Sequence, residues 1–276
     1  MTIQWYPGHM TRAKRMIQEE LKLVDGLLEA VDARVPLSSR NPELQDLTAK
    51  PRLIVLTKTD LADPEATDRW IKHWQGQGEN VAPVNLLQGQ GLNVIRQWVS
   101  KTFPELKRRP RLLVAGIPNV GKSTLINGLT RRKGAAVGAR PGVTRGKQWL
   151  SAPGMQLLDS PGLLWPKFED QEIAKRLVLV ASIRDEVVDQ VEIAWWFLEF
   201  LQAEYPHALT ERYGSLAAED NPLEEIGRRR GCLLRGGVVD FNQAAAVVLK
   251  DFRTGKLGRI TLDRTGDDQG HVDNRD

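Results

Sequence analysis

Apolar side chains at Ala13, Met16, Ile17, Leu21 and Val24 recur with helical spacing, so residues 11–24 are expected to form an amphipathic helix. The pattern then changes. Residues 27–31 make a short apolar run ending in Asp32-Ala33-Arg34. Two further runs, 52–56 after Pro51 and 81–84, suit strands buried on both faces. Between these two, 64–75 reads as a helix with Trp70, Ile71 and Trp74 on one side, and 93–99 reads as another. Residues 112–115 and 155–158 add two strand candidates. Strands alternating with helices predict a parallel α/β sheet. Beyond about residue 172 the alternation stops. The segments 173–183, 187–202 and 244–249 all read as helices, the second carrying Val188, Val191, Ala194, Trp195, Leu198 and Leu201. The expected organisation is an α/β domain over 1–172, a smaller all-helical domain over 173–264, and a disordered tail over 265–276 that has little to bury.

Composition changes this picture only by exclusion. The chain of 276 residues is 41% hydrophobic and 27% charged, an ordinary globular balance. No apolar run reaches the roughly 20 residues of a membrane span. Met1 to His9 has no basic stretch followed by an apolar one, so no signal peptide is expected there. The single cysteine, Cys232, rules out an internal disulfide and a thiolate metal cluster, and a cytoplasmic setting is expected. A net charge of +4 admits an anionic partner without identifying one. Neither a membrane nor DNA is an expected partner.

The strongest chemical signal is Gly116-Ile117-Pro118-Asn119-Val120-Gly121-Lys122-Ser123, which fits G-x-x-x-x-G-K-[ST]. Its glycines let backbone N–H groups of Asn119, Val120, Gly121, Lys122, Ser123 and Thr124 turn around phosphates, and the following helix offers its positive end. Lys122 would reach the β- and γ-phosphates, and Ser123 would give a hydroxyl to Mg²⁺. Average composition produces such an eight-residue fit in about 1% of chains this long, and a strand before it with a helix after it makes chance rarer.

Asp159-Ser160-Pro161-Gly162 follows the strand 155–158 and matches D-x-x-G, in which the Asp serves Mg²⁺ and the Gly N–H senses the γ-phosphate. Asp263-Arg264-Thr265-Gly266 and Asp267-Asp268-Gln269-Gly270 match too, but follow no strand, and are read as chance. Thr144, in the basic loop Arg140-Pro141-Gly142-Val143-Thr144, is the candidate third Mg²⁺ ligand, with a surface turn as the alternative.

Thr57-Lys58-Thr59-Asp60 follows the strand 52–56 and matches [NT]-K-x-D. A carboxylate at Asp60 suits guanine, whose N1–H and exocyclic amine both donate towards it, whereas adenine would leave it unpaired. Lys58 would lie along the base plane. Asn85-Leu86, after the strand 81–84, resembles the weaker box whose backbone N–H meets guanine O6. The order is informative: the guanine box at 57–60 precedes the phosphate loop at 116–123, the reverse of the usual sequence. Nucleotide binding needs these loops at one end of a sheet, not in one chain order, so the reading is a P-loop GTPase domain with circularly permuted motifs. A small-molecule kinase would lack the guanine box and D-x-x-G together, and intact Lys122, Ser123 and Asp159 argue against an inert domain.

With these motifs and with Gln4-Trp5-Tyr6-Pro7-Gly8-His9-Met10, Val31-Asp32-Ala33-Arg34, Ser39-Arg40-Asn41-Pro42, Leu164-Trp165-Pro166-Lys167-Phe168-Glu169 and Arg230-Gly231-Cys232-Leu233, the chain closely resembles the RbgA/YlqF family of circularly permuted GTPases up to about Arg264. The resemblance implies GTP and GDP as ligands, an all-helical RNA-binding domain after the G domain, and action on a precursor of the large ribosomal subunit and its rRNA. Leu163 stands where Ras-like enzymes carry a water-orienting Gln, and the resemblance implies His9 as the substitute, with a structural histidine as the alternative. In similar loops an Asn at the place of Asn119 helps hold K⁺, and a loop-stabilising amide is the other reading. Between Leu223 and Arg264 there are nine Lys/Arg against five Asp/Glu, with Arg228, Arg229, Arg230 and Arg235 bunched around two glycine turns. Such a cluster fits an RNA backbone or a solvated charged face.

Overall fold

A computed structural model describes residues 10–41, 44, 47–130, 149–160, 162, 170–216 and 221–267. It divides into two compact units, Asp170–Ile260 and the remainder.

The larger unit is built on six strands: β1 (Gly26–Asp32), β2 (Arg52–Thr57), β3 (Asn80–Pro83), β4 (Arg111–Ala115), β5 (Trp149–Ala152) and β6 (Met155–Asp159). Their order is β3-β2-β1-β4-β6-β5. All neighbours pair in parallel except β5 with β6. Every residue of β1 is buried, as expected of a central strand covered on both faces. On one face Leu28, Val55 and Val114 pack under α3 (Leu92–Thr102) and α4 (Lys122–Thr130) through Ile95, Trp98, Leu125 and Ile126. On the other, Leu27 and Leu113 meet Ile17 and Leu21 of α1 (Met10–Leu21), and Val31 and Ile54 meet Trp70 and Trp74 of α2 (Pro64–Gly76). The helix α2 begins where Asp63 accepts from the Glu65 and Ala66 N–H groups, with Pro64 in its first turn. The sheet is thus the expected parallel one, with an antiparallel edge strand that the pattern did not predict. At four residues, three of them not buried, β5 is too short and too exposed to leave an apolar signature.

The second unit is helical: α5 (Gln171–Leu179), α6 (Gln190–Glu204), α7 (Pro206–Tyr213), α8 (Pro222–Arg230) and α9 (Phe241–Arg253). Phe197 of α6 meets Phe252 of α9 edge to face, ring centres 5.0 Å apart. Buried Asp251 accepts from Arg212 Nε (2.7 Å) and the Tyr213 hydroxyl (3.2 Å), fixing α7 against α9. Helices α7 and α8 were not read from the pattern. Each opens with a proline, which occupies the first helical turn without loss because that N–H has no partner in the helix anyway. Among the described residues no helix is long and apolar enough to cross a membrane.

Two boundaries differ from expectation. The helical unit starts at Asp170, whose side chain accepts from the Glu172 N–H and caps α5. At its far end the chain leaves it after Ile260, so residues 261–264 belong to the sheet unit rather than to the helical domain. The cause is hydrogen bonding: Leu262 N donates to Arg34 O (2.7 Å), and Thr261 Oγ1 lies 3.2 Å from Ala33 O. Asp263 accepts from Ser38 N (2.8 Å) and Ser38 Oγ (2.7 Å). Asp263 is therefore a buried structural anchor, in keeping with its D-x-x-G match being chance. Tail residues 268–276 lie outside the described residues.

Replacing Asp263 by Ala strands the Ser38 donors in the interior and should cost the sheet unit about 3 kcal/mol. Urea unfolding followed by tryptophan fluorescence measures this; an unchanged midpoint would contradict the anchor role.

Candidate nucleotide-binding site

Because β1, β2, β3, β4 and β6 run in parallel, their C-terminal ends share one edge of the sheet, where ligands of such folds bind. Each chemical motif follows one of those ends. At the end of β4, Gly116 has φ 152°, and a Cβ there would lie 2.5 Å from Ala30 O, so only glycine lets the loop start against β1. Asn119 (φ 58°) and Gly121 (φ 107°) then turn the backbone through the left-handed region. Lys122 opens α4, and its Nζ folds back to donate to Gly116 O (3.1 Å) and Ile117 O (2.8 Å). Burial lowers the pKa of this lysine to about 8, against the opposing charge of Asp159.

The guanine-box residues meet this loop directly. Thr57 Oγ1 lies 2.6 Å from Val120 O and 3.0 Å from Val31 O. Lys58, with φ 55°, donates from Nζ to Asn119 O (2.7 Å) and to Asp32 Oδ2 (2.8 Å). Thr59 Oγ1 donates to Val84 O (3.0 Å), tying the box to the loop after β3. That loop is closed by paired backbone bonds between Asn85 and Gln90, with Asn85 Oδ1 accepting from Gln88 N (3.2 Å). Half-buried Leu86 brings a methyl group to 3.8 Å from the position of a Cβ on Gly121. Asp60 is half-buried at the end of the box. Thr57, expected from the motif to lie at the ligand, has its hydroxyl between the Val120 and Val31 carbonyls, where it joins the box to the phosphate loop.

At the end of β6, Asp159 has a buried carboxylate oxygen, Oδ1, without a hydrogen-bond partner among the described residues. Burial raises its pKa and Lys122 opposes the rise. Gly162 lies against the phosphate loop: a Cβ there would come 2.9 Å from Pro118 N and Cα and 3.1 Å from Lys122 Nζ. Phosphate loop, Lys122, Asp159 and Gly162 thus form one cluster. An unpartnered carboxylate oxygen and the Ser123 hydroxyl in the first turn of α4 fit Mg²⁺, an oxygen-seeking ion that takes few protein ligands and completes its shell with phosphates and water. Among the described residues there is no group of three or more His, Cys, Asp or Glu that could hold a metal ion. His9, Leu163 and the whole of the basic loop that carries Thr144 lie outside the described residues.

The arginines of the helical unit flank the two glycine turns, at Gly231 and at Gly236 and Gly237. Arg228, Arg229 and Arg230 form the last turn of α8. Arg228 pairs with Glu224 (2.6 Å), and Arg229 with Glu225 (2.6 Å) and the carbonyls of Tyr213 and Ser215. Arg230 donates to Arg212 O (2.7 Å) and lies over the Tyr213 ring. Much of their hydrogen bonding ties α8 to α7. Arg235, beside Gly236 and Gly237, is exposed at a turn with Leu234 and Val238. Sequence reading also passed over the chemistry of Asp32 and Arg34, since a charged pair after a strand looks like an ordinary solvated turn. Both are buried.

Residues 111–213 match the 50S ribosome-binding GTPase family. Ribosome biogenesis GTPase A of Bacillus cereus is 43% identical over 278 residues, covering 95% of this chain and 94% of that protein. Mitochondrial ribosome-associated GTPase 1 of Bos taurus is 34% identical, covering 95% and 88%. The GNP-bound crystal structure of YlqF from Thermotoga maritima matches with a TM-score of 0.68 at 29% identity, covering 92% of this chain and 98% of that one.

The depressed pKa of Lys122 carries a pH signature. Phosphate favours the ammonium form, so nucleotide affinity should be flat below pH 8 and fall above it, because the neutral lysine must first take up a proton. Equilibrium titration with GDP should give binding about tenfold weaker at pH 9 than at pH 7. A flat profile across that range would contradict the assignment.

Proposed function

The chain belongs to the family of ribosome biogenesis GTPases, and from that premise we propose that it is a GTP-controlled assembly factor for the large ribosomal subunit. It is a GTPase acting in ribosome assembly; the subunit, the RNA contacts and the residue roles are the proposal. The observation that carries it is the pair of bonds from Thr57 and Lys58 to the phosphate loop, which puts a guanine box and a triphosphate cradle in one site.

In this reading Asp60 accepts from guanine N1–H and the exocyclic amine, Lys58 lies along the base, and the backbone at Asn85 and Leu86 meets O6. The N–H groups of residues 119–124 surround the phosphates, with Lys122 neutralising their charge. Ser123, Asp159 and Thr144 hold Mg²⁺, which when bound offsets charge on the β- and γ-phosphate oxygens. His9 orients the attacking water in place of Leu163, and Asn119 helps hold K⁺; both roles rest on the family resemblance. The helical unit binds rRNA through Arg235, with Arg228, Arg229 and Arg230 contributing the charge that their structural partners leave free. The setting is the cytoplasm.

The switch follows from connectivity. Gly162 senses the γ-phosphate together with Thr144, and the chain from Gly162 enters the helical unit at Asp170. GTP therefore favours docking on an immature particle, and hydrolysis releases the protein. Pelleting with purified large-subunit precursors tests this. Association should be strongest with a non-hydrolysable GTP analogue, weak with GDP, and reduced by rising salt. Equal association with the analogue, with GDP and without nucleotide would overturn the switch, even in a chain that binds GTP.

A further inference from the structure

We propose that Asp32 is a positioning residue of the guanine site: its carboxylate holds the Lys58 ammonium in place against the phosphate loop, and nucleotide affinity depends on that hold. The inference rests on reading 57–60 as the guanine box and assigns a role to a residue outside the phosphate loop, the guanine box and D-x-x-G.

The register of the sheet sets it up. Strands β1 and β2 are parallel with Asp32 opposite Thr57, so the last residue of the central strand sits beside the first of the box. Asp32 is 1% exposed. Its Oδ1 accepts from Arg34 N (3.1 Å) and Arg34 Nε (3.0 Å), and its Oδ2 from Arg34 Nη2 (2.8 Å) and Lys58 Nζ (2.8 Å). Burial alone would raise its pKa, but Arg34 and Lys58 outweigh burial and hold the carboxyl well below the usual range. One buried anion thus serves two cations. Arg34 is the structural one: its carbonyl receives Leu262 N, which roots the returning chain. Lys58 is the functional one: its Nζ bridges Asp32 and Asn119 O, while its backbone sits at φ 55°, a conformation costly for a side chain of this size. A lysine has four rotors, and an unheld ammonium would have to be ordered by each incoming nucleotide. The contact lies on the base side of the loop, so GTP and GDP should depend on it equally.

The rival is that Asp32 only neutralises buried Arg34. Three variants separate the two: Asp32→Asn, Arg34→Gln, and the double Asp32→Asn/Arg34→Gln, which keeps the net charge of the cluster. Fluorescent GDP and GTP analogues give affinities, thermal melting reports folding, and single-turnover hydrolysis reports chemistry at saturation. Arg34→Gln leaves the Asp32–Lys58 pair and should bind within about threefold of the parent chain. Asp32→Asn and the double variant should bind both nucleotides about tenfold or more weakly, as expected for loss of a charged hydrogen bond, with the saturated rate changed less than about twofold. Parent-like binding by the double variant would overturn the proposal, as would a loss confined to GTP. A measurement on the unaltered chain holds even where variants fail to fold. Without nucleotide, Lys58 should react with an amine-acylating reagent at least about tenfold more slowly than exposed Lys72, even though burial lowers its pKa and favours the free amine, read by peptide mass spectrometry. Equal reactivity would overturn the hold. An unaltered chain that bound ADP as well as GDP would instead overturn the guanine-box reading, so the two failures are told apart.

Discussion

Two hydrogen bonds across some sixty residues of chain carry the nucleotide site: Thr57 Oγ1 to Val120 O and Lys58 Nζ to Asn119 O. Each satisfies a backbone carbonyl of the phosphate loop. The rest of the unit serves to make them possible. A parallel sheet places the ends of β1, β2, β3, β4 and β6 on one edge, and its order depends on pairing rather than on chain order. Moving the guanine box ahead of the phosphate loop therefore leaves the site's geometry intact while relocating the chain ends. Along the sequence, the exit from D-x-x-G then becomes the entry to the helical unit.

The site is built under charge and steric constraint. Burial perturbs both Lys122 and Asp159, the lysine downwards to about 8 and the carboxylate upwards, and the charge of each only partly offsets the shift of the other. Both are thus left in a state that a phosphate and a cation would relieve. Close backbone approach at Gly116 and Gly162 leaves no room for a side chain where the loop meets β1 and where Gly162 meets Pro118. Beneath the site, Asp32 and Asp263 perform a different task with the same chemistry. Each is a buried carboxylate saturated by donors, one holding the base side of the site, the other fastening the returning chain to Ser38.

Much of this was legible from sequence because the sheet's parallel strands are short apolar runs and each motif follows one of them. The edge strand β5 was not, since a half-exposed four-residue strand has no apolar excess to notice. Helices α7 and α8 were hidden by prolines that open them rather than break them. The arginine run at 228–230 was visible as charge, but its partners Glu224, Glu225 and the carbonyls of α7 and the residues after it lie across a turn of helix or in another element, and only tertiary structure reveals them. The hydroxyl of Thr57 is directed at the phosphate loop, and motif reading gives a residue's place but not such a direction. Asp32 escaped for a related reason: nothing local distinguishes a buried, doubly paired carboxylate from a solvated strand end.

If box and cradle hold one nucleotide, changing what the box reads must change which nucleotide the cradle hydrolyses. Asp60→Asn exchanges an acceptor for a group that can also donate, matching xanthine, whose C2 carbonyl replaces the guanine amine. The most direct measurement is turnover of GTP and xanthosine triphosphate by this variant and by the parent chain. The variant should lose at least about a hundredfold in kcat/KM for GTP and hydrolyse xanthosine triphosphate within about tenfold of the parent's rate on GTP. A variant that retained parental GTP affinity and turnover would show that residues 57–60 do not read the base of the nucleotide held at 116–123.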